Sequence, residues 1–380
     1  MNVHSCLYIT IEFIFLQLYT IDGYGYAAWP DRKGCFMRFE SIVLNKKQDV
    51  RLSCFLHDCD CTYIPATERP AVIVLPGGAY QFLSDRESEP VARAFLNAGF
   101  HAFVLYYSVG THAQWPNPLT DFEQAMDLIL SHADDWHICR DRIAAVGFSA
   151  GGHLAASAAT MARIRPAAVM LGYPVIKDYI AAICMSGLPQ PAEHVDEKTS
   201  PCFLFACRDD KLVDVSNFLR FQEALAEHGI GFESHIYALG GHGFSTGAEE
   251  FQEQALCGRV RRWTADAVEW LGELWGRITP EGFSKPLVPR FANADHDGAL
   301  SLDCTIAFLR KQKAAAPLLN RLFTALENIK ARLALPESSM AEFEAAYTMR
   351  FIAAVSGMSE DALQALEKDL NALPAERETV

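Results

Sequence analysis

From residue 37 to about residue 276, short β-branched or aromatic runs alternate with stretches whose apolar residues recur every three or four positions. This alternation is typical of a mainly parallel sheet covered by helices on both faces. The predicted strands are 37–44, 50–56, 71–75, 101–106, 142–146, 167–172, 202–206 and 232–237. The predicted helices are 88–98, 118–133, 150–162, 215–228 and 248–276. No helix separates the first two strands, so we expect them to form an antiparallel hairpin. The sequence therefore predicts an α/β fold with eight strands.

The composition of the chain changes after Trp275, which suggests a second region. Residues 279–303 hold three prolines near their start and then a polar loop, and they are predicted to be a linker. Helical patterns follow at 304–332, 339–356 and 359–372. We therefore expect a catalytic domain at 37–278 and a helical C-terminal region at 304–380. Residues 1–36 show no clear pattern, and we interpret them as an N-terminal extension read from a start codon upstream of the native one.

Charge and cysteine usage limit the partners and the compartment. The formal net charge is −14 and the pI is about 5.3, with no Lys/Arg cluster, so a nucleic acid partner is not expected. The apolar run at 6–19 is too short to span a bilayer and carries Glu12, and no Lys or Arg precedes it. Eleven cysteines at irregular spacing are typical of reduced thiols. These features predict a cytoplasmic protein that is not bound to a membrane.

The stretch GFSAGGH, residues 147–153, connects a predicted strand to a predicted helix. Gly147 and Gly151 match the pattern G-x-S-x-G, which in this context forms a sharp turn that exposes a reactive serine. The helix that follows adds positive potential where an oxyanion forms. We therefore expect Ser149 to be a nucleophile, although a glycine-rich turn with an incidental serine would match the same pattern.

A serine nucleophile needs a base, and that base needs an acid to orient it. His242 lies in a glycine-rich loop after the last predicted strand, and it is the candidate base. Asp209 and Asp210 follow the strand at 202–206. We prefer Asp209, because alternation from Ala206 points its side chain toward the imidazole, whereas Asp210 would cap the next helix. Asp178 and Asp214 are more distant candidates.

The run AVIVLPGGAY, residues 71–80, ends a strand in two glycines. The backbone N–H groups of Gly78 and Ala79 can approach a ligand there, and with the N–H of Ala150 they would form an oxyanion hole. The other interpretation is a simple Pro-Gly-Gly turn. Tyr80 and Trp115 are candidates for contact with the substrate.

Taken together, PGGAY, GFSAGGH, YPVI (173–176), CRDDKLV (207–213) and GGHGF (240–244) resemble the α/β-hydrolase superfamily. The resemblance covers residues 37–276 and is strongest to the branch of acetylxylan esterases and related bacterial carbohydrate esterases. It implies a Ser149 nucleophile, an Asp209 acid, a His242 base and an oxyanion segment at 76–79. This sequence departs from the family at Pro76, where a histidine is usual, at Ala79, where a third glycine is usual, and at Asp214, where a proline often stands.

Two further loops contain groups of metal-ligating residue types. Residues 57–61 read His-Asp-Cys-Asp-Cys, but no second cysteine pair follows, so we interpret them as an ordinary loop. Residues 293–301 resemble the start of an EF-hand, but the twelfth position is Cys304 where a bidentate glutamate is required. We leave open whether this second loop binds calcium or is an Asx-rich turn. No catalytic metal and no cofactor are expected.

The expected activity is hydrolysis of a short acyl ester, above all an acetyl ester on a sugar or oligosaccharide. Two alternatives remain open. One is a serine exopeptidase that cleaves after proline, and the other is a non-catalytic binding protein on a hydrolase scaffold. The apolar faces of the C-terminal helices must be buried, and we expect a homo-oligomer contact or a lid over the catalytic domain.

Overall fold

One eight-stranded sheet organises the molecule in a computed structural model that describes residues 37–58, 68–177, 181, 183–251, 258–279, 282–286, 299–333 and 336–374. Its strands are β1 (Arg38–Asn45), β2 (Val50–Leu56), β3 (Arg69–Leu75), β4 (His101–Tyr106), β5 (Ile138–Phe148), β6 (Ala168–Gly172), β7 (Cys202–Cys207) and β8 (Phe232–Tyr237). Their order is β1-β2-β4-β3-β5-β6-β7-β8. β2 is antiparallel to β1 and to β4, and the other neighbours are parallel. The predicted fold class is confirmed, including the antiparallel hairpin.

The central strands are buried on both faces, which requires helices on both sides of the sheet. Every residue of β3 is buried, and so is the second half of β5. The helices of this part are α1 (Glu89–Asn97), α2 (Asn117–Ser131), α3 (Ala150–Met161), α4 (Ser216–Glu227) and α5 (Trp263–Trp275). The first four match the predicted helices. Because all the parallel strands end at one edge, the loops that follow them meet there.

The predicted helix at 248–276 is wrong in its first half. Glu249–Phe251 and Val260–Arg262 are short 3₁₀ turns, and the helix α5 begins only at Trp263. The reason is tertiary packing. The Trp263 ring is fully buried and stacks on Phe205 with centroids 4.1 Å apart, which fixes where the helix starts. Residues 252–257 lie outside the described part of the chain.

The C-terminal region contains five described helices, α6 (Ile306–Lys311), α7 (Ala316–Leu333), α8 (Glu337–Ala346), α9 (Met349–Val355) and α10 (Glu360–Asn371). Their apolar faces form a buried cluster that runs from Leu300 to Leu370. The larger cluster, around the sheet, runs from Val50 to Trp275, and the two share no residue. The predicted linker also holds part of a two-stranded hairpin, β9 (Ile278–Thr279) and β10 (Gly282–Phe283), that the sequence did not indicate. The domain boundaries stay a prediction.

Several sequence-based expectations fall on residues that the structure does not describe. These are the extension at 1–36, residues 59–61 of the first metal-like loop, and residues 293–298 of the second. Within the described residues, no group of three or more His, Cys, Asp or Glu side chains is placed to hold a metal ion. None of the described helices has the length and apolar character needed to cross a membrane. The six cysteines in this part of the chain are all buried, and no disulfide joins any two of them.

Candidate active site

Ser149 lies in the sharp turn between β5 and α3 and has a strained backbone, with φ 52° and ψ −116°. A positive φ is rare for a residue with a Cβ and is characteristic of a nucleophile at such a strand-to-helix turn. The glycines make the turn possible. A Cβ on Gly147 would lie 2.1 Å from the Gly151 carbonyl oxygen, and one on Gly151 would lie 2.1 Å from the Leu75 carbonyl oxygen. Ser149 itself is half-buried.

A chain of hydrogen bonds joins three distant side chains at this turn. The imidazole of His242 has Nε2 2.9 Å from Ser149 Oγ and Nδ1 2.7 Å from Asp210 Oδ2. A carboxylate only accepts, so Nδ1 carries the proton and Nε2 is free to accept the serine proton. The Asp210 side chain is fully buried and that of His242 is 15% exposed. This arrangement can convert a weak hydroxyl nucleophile into an effective one.

The preference for Asp209 as the partner of the imidazole is wrong, and the structure corrects it to Asp210. Strand β7 continues to Cys207, one residue further than predicted, and Arg208 N–H still bonds to Tyr237 O at 2.8 Å. A shift of one residue reverses the direction of every following side chain. Of the other candidates, Asp214 caps the start of α4 through Ser216 N–H, and Asp178 lies outside the described residues.

The two adjacent aspartates have separate sets of partners. Asp210 Oδ1 accepts hydrogen bonds from the N–H groups of Leu212 and Val213, at 2.8 and 2.9 Å, which leaves Oδ2 for the imidazole. Asp209 Oδ1 accepts from Gly240 N–H and Gly241 N–H, both at 2.9 Å. Asp209 therefore holds the loop at 238–247 that carries His242, while Asp210 contacts the imidazole itself.

The loop at 76–80 lies against the serine turn, as the predicted oxyanion segment should. A Cβ on Gly77 would come within 3.1 Å of Ser149 Cβ. Gly78 and Ala79 both have positive φ, 128° and 52°, and both are partly exposed. Their N–H groups donate to no other described residue. Ala150 is the first residue of α3, where the N–H has no acceptor within the helix. The assignment of Gly78, Ala79 and Ala150 to an oxyanion hole stays a prediction.

Tyr80 does not line an open substrate site, which corrects the expectation from the sequence. Its side chain has no exposed surface, and its hydroxyl lies 2.9 Å from His153 Nδ1. The backbone at Tyr80 has a positive φ of 58°. Trp115 is half-buried, and its ring centroid lies 5.7 Å from that of His153. Its contact with a substrate stays a prediction.

His153 is a residue of this region whose part the sequence did not reveal, although it closes the GFSAGGH stretch. The imidazole is completely buried, and Nε2 donates to the Pro189 carbonyl oxygen at 2.8 Å. Burial lowers the pKa of His153 to about 4, so the ring is neutral near pH 7. In this neutral tautomer, Nδ1 can accept the Tyr80 hydroxyl proton. His153 therefore joins α3 to the loop at 76–80 and to the segment at Pro189.

Two more residues at the site were not identified as functional from the sequence. The ring of Tyr173, the first residue of the YPVI stretch, meets the His242 ring edge-on with centroids 4.8 Å apart. Glu87 is buried between Tyr173 and the loop at 76–80. A signal for Tyr173 existed, because it directly follows the carboxyl end of β6. Glu87 had none, because a glutamate before a helix is usually solvated.

Comparison with known proteins agrees with this architecture. The BD-FAE family model matches residues 62–166. Endo-1,4-β-xylanase B of Butyrivibrio fibrisolvens is 32% identical over 233 residues, and acetylxylan esterase of Xylanibacter ruminicola is 30% identical over 199 residues. These matches cover 53% and 47% of this chain, and only 35% and 41% of those two proteins.

A solved structure matches over nearly its whole length. It is MGS-M1, an α/β-hydrolase enzyme from a Medee basin deep-sea metagenome library, with 37% sequence identity and a TM-score of 0.57. The match covers 62% of this chain and 97% of that one. This chain therefore belongs to the α/β-hydrolase superfamily. Within it, the matches support the resemblance to acetylxylan esterases that the sequence indicated.

Proposed function

We propose that this protein is a serine esterase that hydrolyses carboxylic esters through Ser149, His242 and Asp210. The observation that carries the proposal is the unbroken hydrogen-bond chain from the Ser149 hydroxyl through the imidazole to a buried carboxylate. A hydroxyl, an imidazole and a carboxylate that are hydrogen-bonded in this order form a catalytic triad for nucleophilic acyl transfer. The esterase named among the similar proteins supports the same class of reaction.

The mechanism follows from the roles of these groups. His242 Nε2 takes the proton of Ser149 as Oγ attacks the ester carbonyl carbon, and Asp210 stabilises the imidazolium that forms. The N–H groups of Gly78, Ala79 and Ala150 then bind the oxyanion of the tetrahedral intermediate. The imidazolium gives its proton to the leaving alcohol. A water molecule, activated by the same imidazole, releases the acid from the acyl-enzyme. No cofactor takes part.

We further propose that the substrate is a short acyl ester, preferentially an acetyl ester of a sugar or oligosaccharide. Two features support this choice. The serine is half-buried and the imidazole is partly exposed, so the site is reachable by a polar alcohol. The similar proteins also include an enzyme named as an acetylxylan esterase and one named as a xylanase.

The test measures kcat/KM on p-nitrophenyl esters of two to twelve carbons, and acetate release from acetylated xylo-oligosaccharides. We expect the two-carbon ester to be the best of the series. Ser149→Ala should lose at least about 10³-fold in kcat and should no longer react with a fluorophosphonate probe. A preference for long acyl chains would contradict the acetyl substrate.

Two other results would contradict the esterase itself. Faster cleavage of a proline p-nitroanilide than of p-nitrophenyl acetate would favour a serine exopeptidase. Absence of both turnover and fluorophosphonate labelling would favour a binding protein.

A further inference from the structure

Among the described residues, the buried carboxylate of Glu87 forms its hydrogen bonds with Gly77 and Tyr173, beside the site. Glu87, in the 3₁₀ turn Asp85–Glu87 before α1, is 3% exposed. Its Oε2 accepts the N–H of Gly77 at 2.9 Å, and its Oε1 accepts the Tyr173 hydroxyl at 2.7 Å. The first bond is to the loop at 76–80. Burial of a carboxylate is costly unless its oxygens are bonded, so these two bonds hold the loop and the tyrosine strongly to Glu87.

Tyr173 extends this connection to the loop that carries His242. Its hydroxyl oxygen accepts the N–H of Ser245 at 3.0 Å, so its one proton is available for Glu87. Burial raises the pKa of Tyr173 well above the ordinary value, which keeps the hydroxyl protonated. Ser245 is held from the other side, because its carbonyl oxygen accepts the Trp263 indole N–H at 2.7 Å. The Tyr173 ring also packs edge-on against the imidazole.

We propose that Glu87 and Tyr173 are positioning residues that hold the loop at 76–80 and the loop at 238–247 in register across Ser149. This inference rests on the proposed function, because it assigns the first loop to the oxyanion and the second to the base. One hydrogen-bond path, Gly77 N–H to Glu87 to Tyr173 to Ser245 N–H, joins the two loops without passing through the reacting groups. A displacement of about 1 Å at either loop can lower the rate by about 10²-fold. A hydrogen-bond path that prevents such a displacement can therefore affect the rate without contact with the substrate.

The test compares Tyr173→Phe and Glu87→Gln with a matched control, Tyr237→Phe. Tyr237 is also buried, at the end of β8, but its hydroxyl has no hydrogen-bond partner among the described residues. Each variant is assayed on p-nitrophenyl acetate with active sites counted by fluorophosphonate labelling. We expect kcat per labelled site to fall about 10- to 100-fold in both test variants. KM should stay within about twofold in both test variants, because neither substitution alters binding of the substrate in the ground state. The control Tyr237→Phe should match the wild type, because it removes no hydrogen bond to a described residue.

A double variant shows whether Glu87 and Tyr173 act as one connected path or as two independent contacts. Glu87→Gln combined with Tyr173→Phe should be about as slow as the slower single variant, since residues that act as a unit are not additive. The fluorophosphonate reaction rate should fall in parallel with kcat, because it needs the same activated serine and oxyanion site. A loss that appears only as lower thermal stability, with kcat per labelled site unchanged, would overturn the inference.

Failure of the inference and failure of the proposed function give different results. A wild-type protein that labels and turns over, with Tyr173→Phe and Glu87→Gln equally fast, keeps the esterase and overturns the positioning role. A wild-type protein that neither labels nor hydrolyses the ester overturns both, because there is then no reaction for these residues to assist. A rise in KM with kcat unchanged would also overturn the positioning role, since it would indicate contact with the substrate.

Discussion

Two adjacent carboxylates at the end of β7 have different partners, and the partners define what each can contribute. Asp210 is oriented by the N–H groups of Leu212 and Val213 and bonds the imidazole. Asp209 bonds the backbone of the imidazole loop at Gly240 and Gly241. One carboxylate therefore acts on the proton at Nδ1, and the other on the shape of the loop. Their substitution should separate chemistry from loop geometry.

We predict that Asp210→Asn lowers kcat/KM on p-nitrophenyl acetate by about 10³- to 10⁴-fold, because an amide no longer favours the correct tautomer or stabilises the imidazolium. Asp209→Asn is the matched control. Its amide oxygen can still accept both backbone N–H groups, so we expect a loss below about tenfold. A larger loss for Asp209→Asn than for Asp210→Asn would contradict the assignment of Asp210.

The choice between these neighbours could not be made from the sequence. The order serine, aspartate, histidine and the loops that carry them were predictable, because parallel strands end at one edge. The side-chain direction depended on whether β7 ends at Ala206 or at Cys207, and no local pattern distinguishes the two. Tyr80 is a second example, since an aromatic beside an oxyanion segment can turn outward or inward. The inward direction of the Tyr80 ring is seen only in the structure, where its hydroxyl lies against His153.

At the scale of elements, His153 connects three parts that are distant in sequence. It is in α3, its Nδ1 bonds Tyr80 in the loop at 76–80, and its Nε2 bonds the carbonyl oxygen of Pro189. The neutral imidazole can form both hydrogen bonds, with Nδ1 as acceptor and Nε2 as donor. Protonation would place a second N–H inside a completely buried site. The packing of these elements should therefore weaken in mild acid.

We predict that lowering the pH from 7 to 5 reduces the free energy of unfolding of the wild-type protein by about 2 kcal/mol through the protonation of His153. Its pKa is about 4 in the folded protein, against an ordinary value of 6.5. Between these values the unfolded chain binds a proton that the folded protein does not, so stability falls as the pH falls. The measurement is urea unfolding of wild type and His153→Gln at both pH values. Equal losses in the two proteins would contradict the prediction, because the glutamine cannot titrate.

Elements were predictable where local periodicity and burial agree. The eight strands follow from short β-branched or aromatic runs, and α1 to α4 follow from apolar residues that recur every three or four positions; both patterns match what the packing buries. The start of α5 could not be predicted in this way, because two contacts of Trp263 determine it. Its ring stacks on Phe205, and its indole N–H donates to the Ser245 carbonyl oxygen, and both partners are distant in sequence. The hairpin of β9 and β10 was missed because its strands contain two residues each, too few for any period.

At the scale of the whole molecule, the described chain has two apolar clusters with no residue in common. The cluster around the sheet includes Trp263, Trp270 and Trp275, and the second cluster begins at Leu300. The groups of the candidate active site all precede Trp263 in sequence. Clusters without shared members can lose their structure separately. The C-terminal helices are therefore a candidate for independent unfolding, and activity should follow the first cluster alone.

All six tryptophans precede residue 276, so their fluorescence does not report directly on the C-terminal helices, whereas circular dichroism reports on both regions. We predict that urea unfolding of the full chain gives different midpoints by the two methods, as expected when cooperativity is not two-state. In a chain that stops after residue 286 the midpoints should coincide, and kcat/KM on p-nitrophenyl acetate should stay within about threefold of the full chain. Coincident midpoints in the full chain, together with loss of activity on truncation, would instead mean that the helices and the sheet form one cooperative unit. Such a result would require the C-terminal helices to be placed in the catalytic domain itself, because a region that unfolds with the site contributes to holding it together.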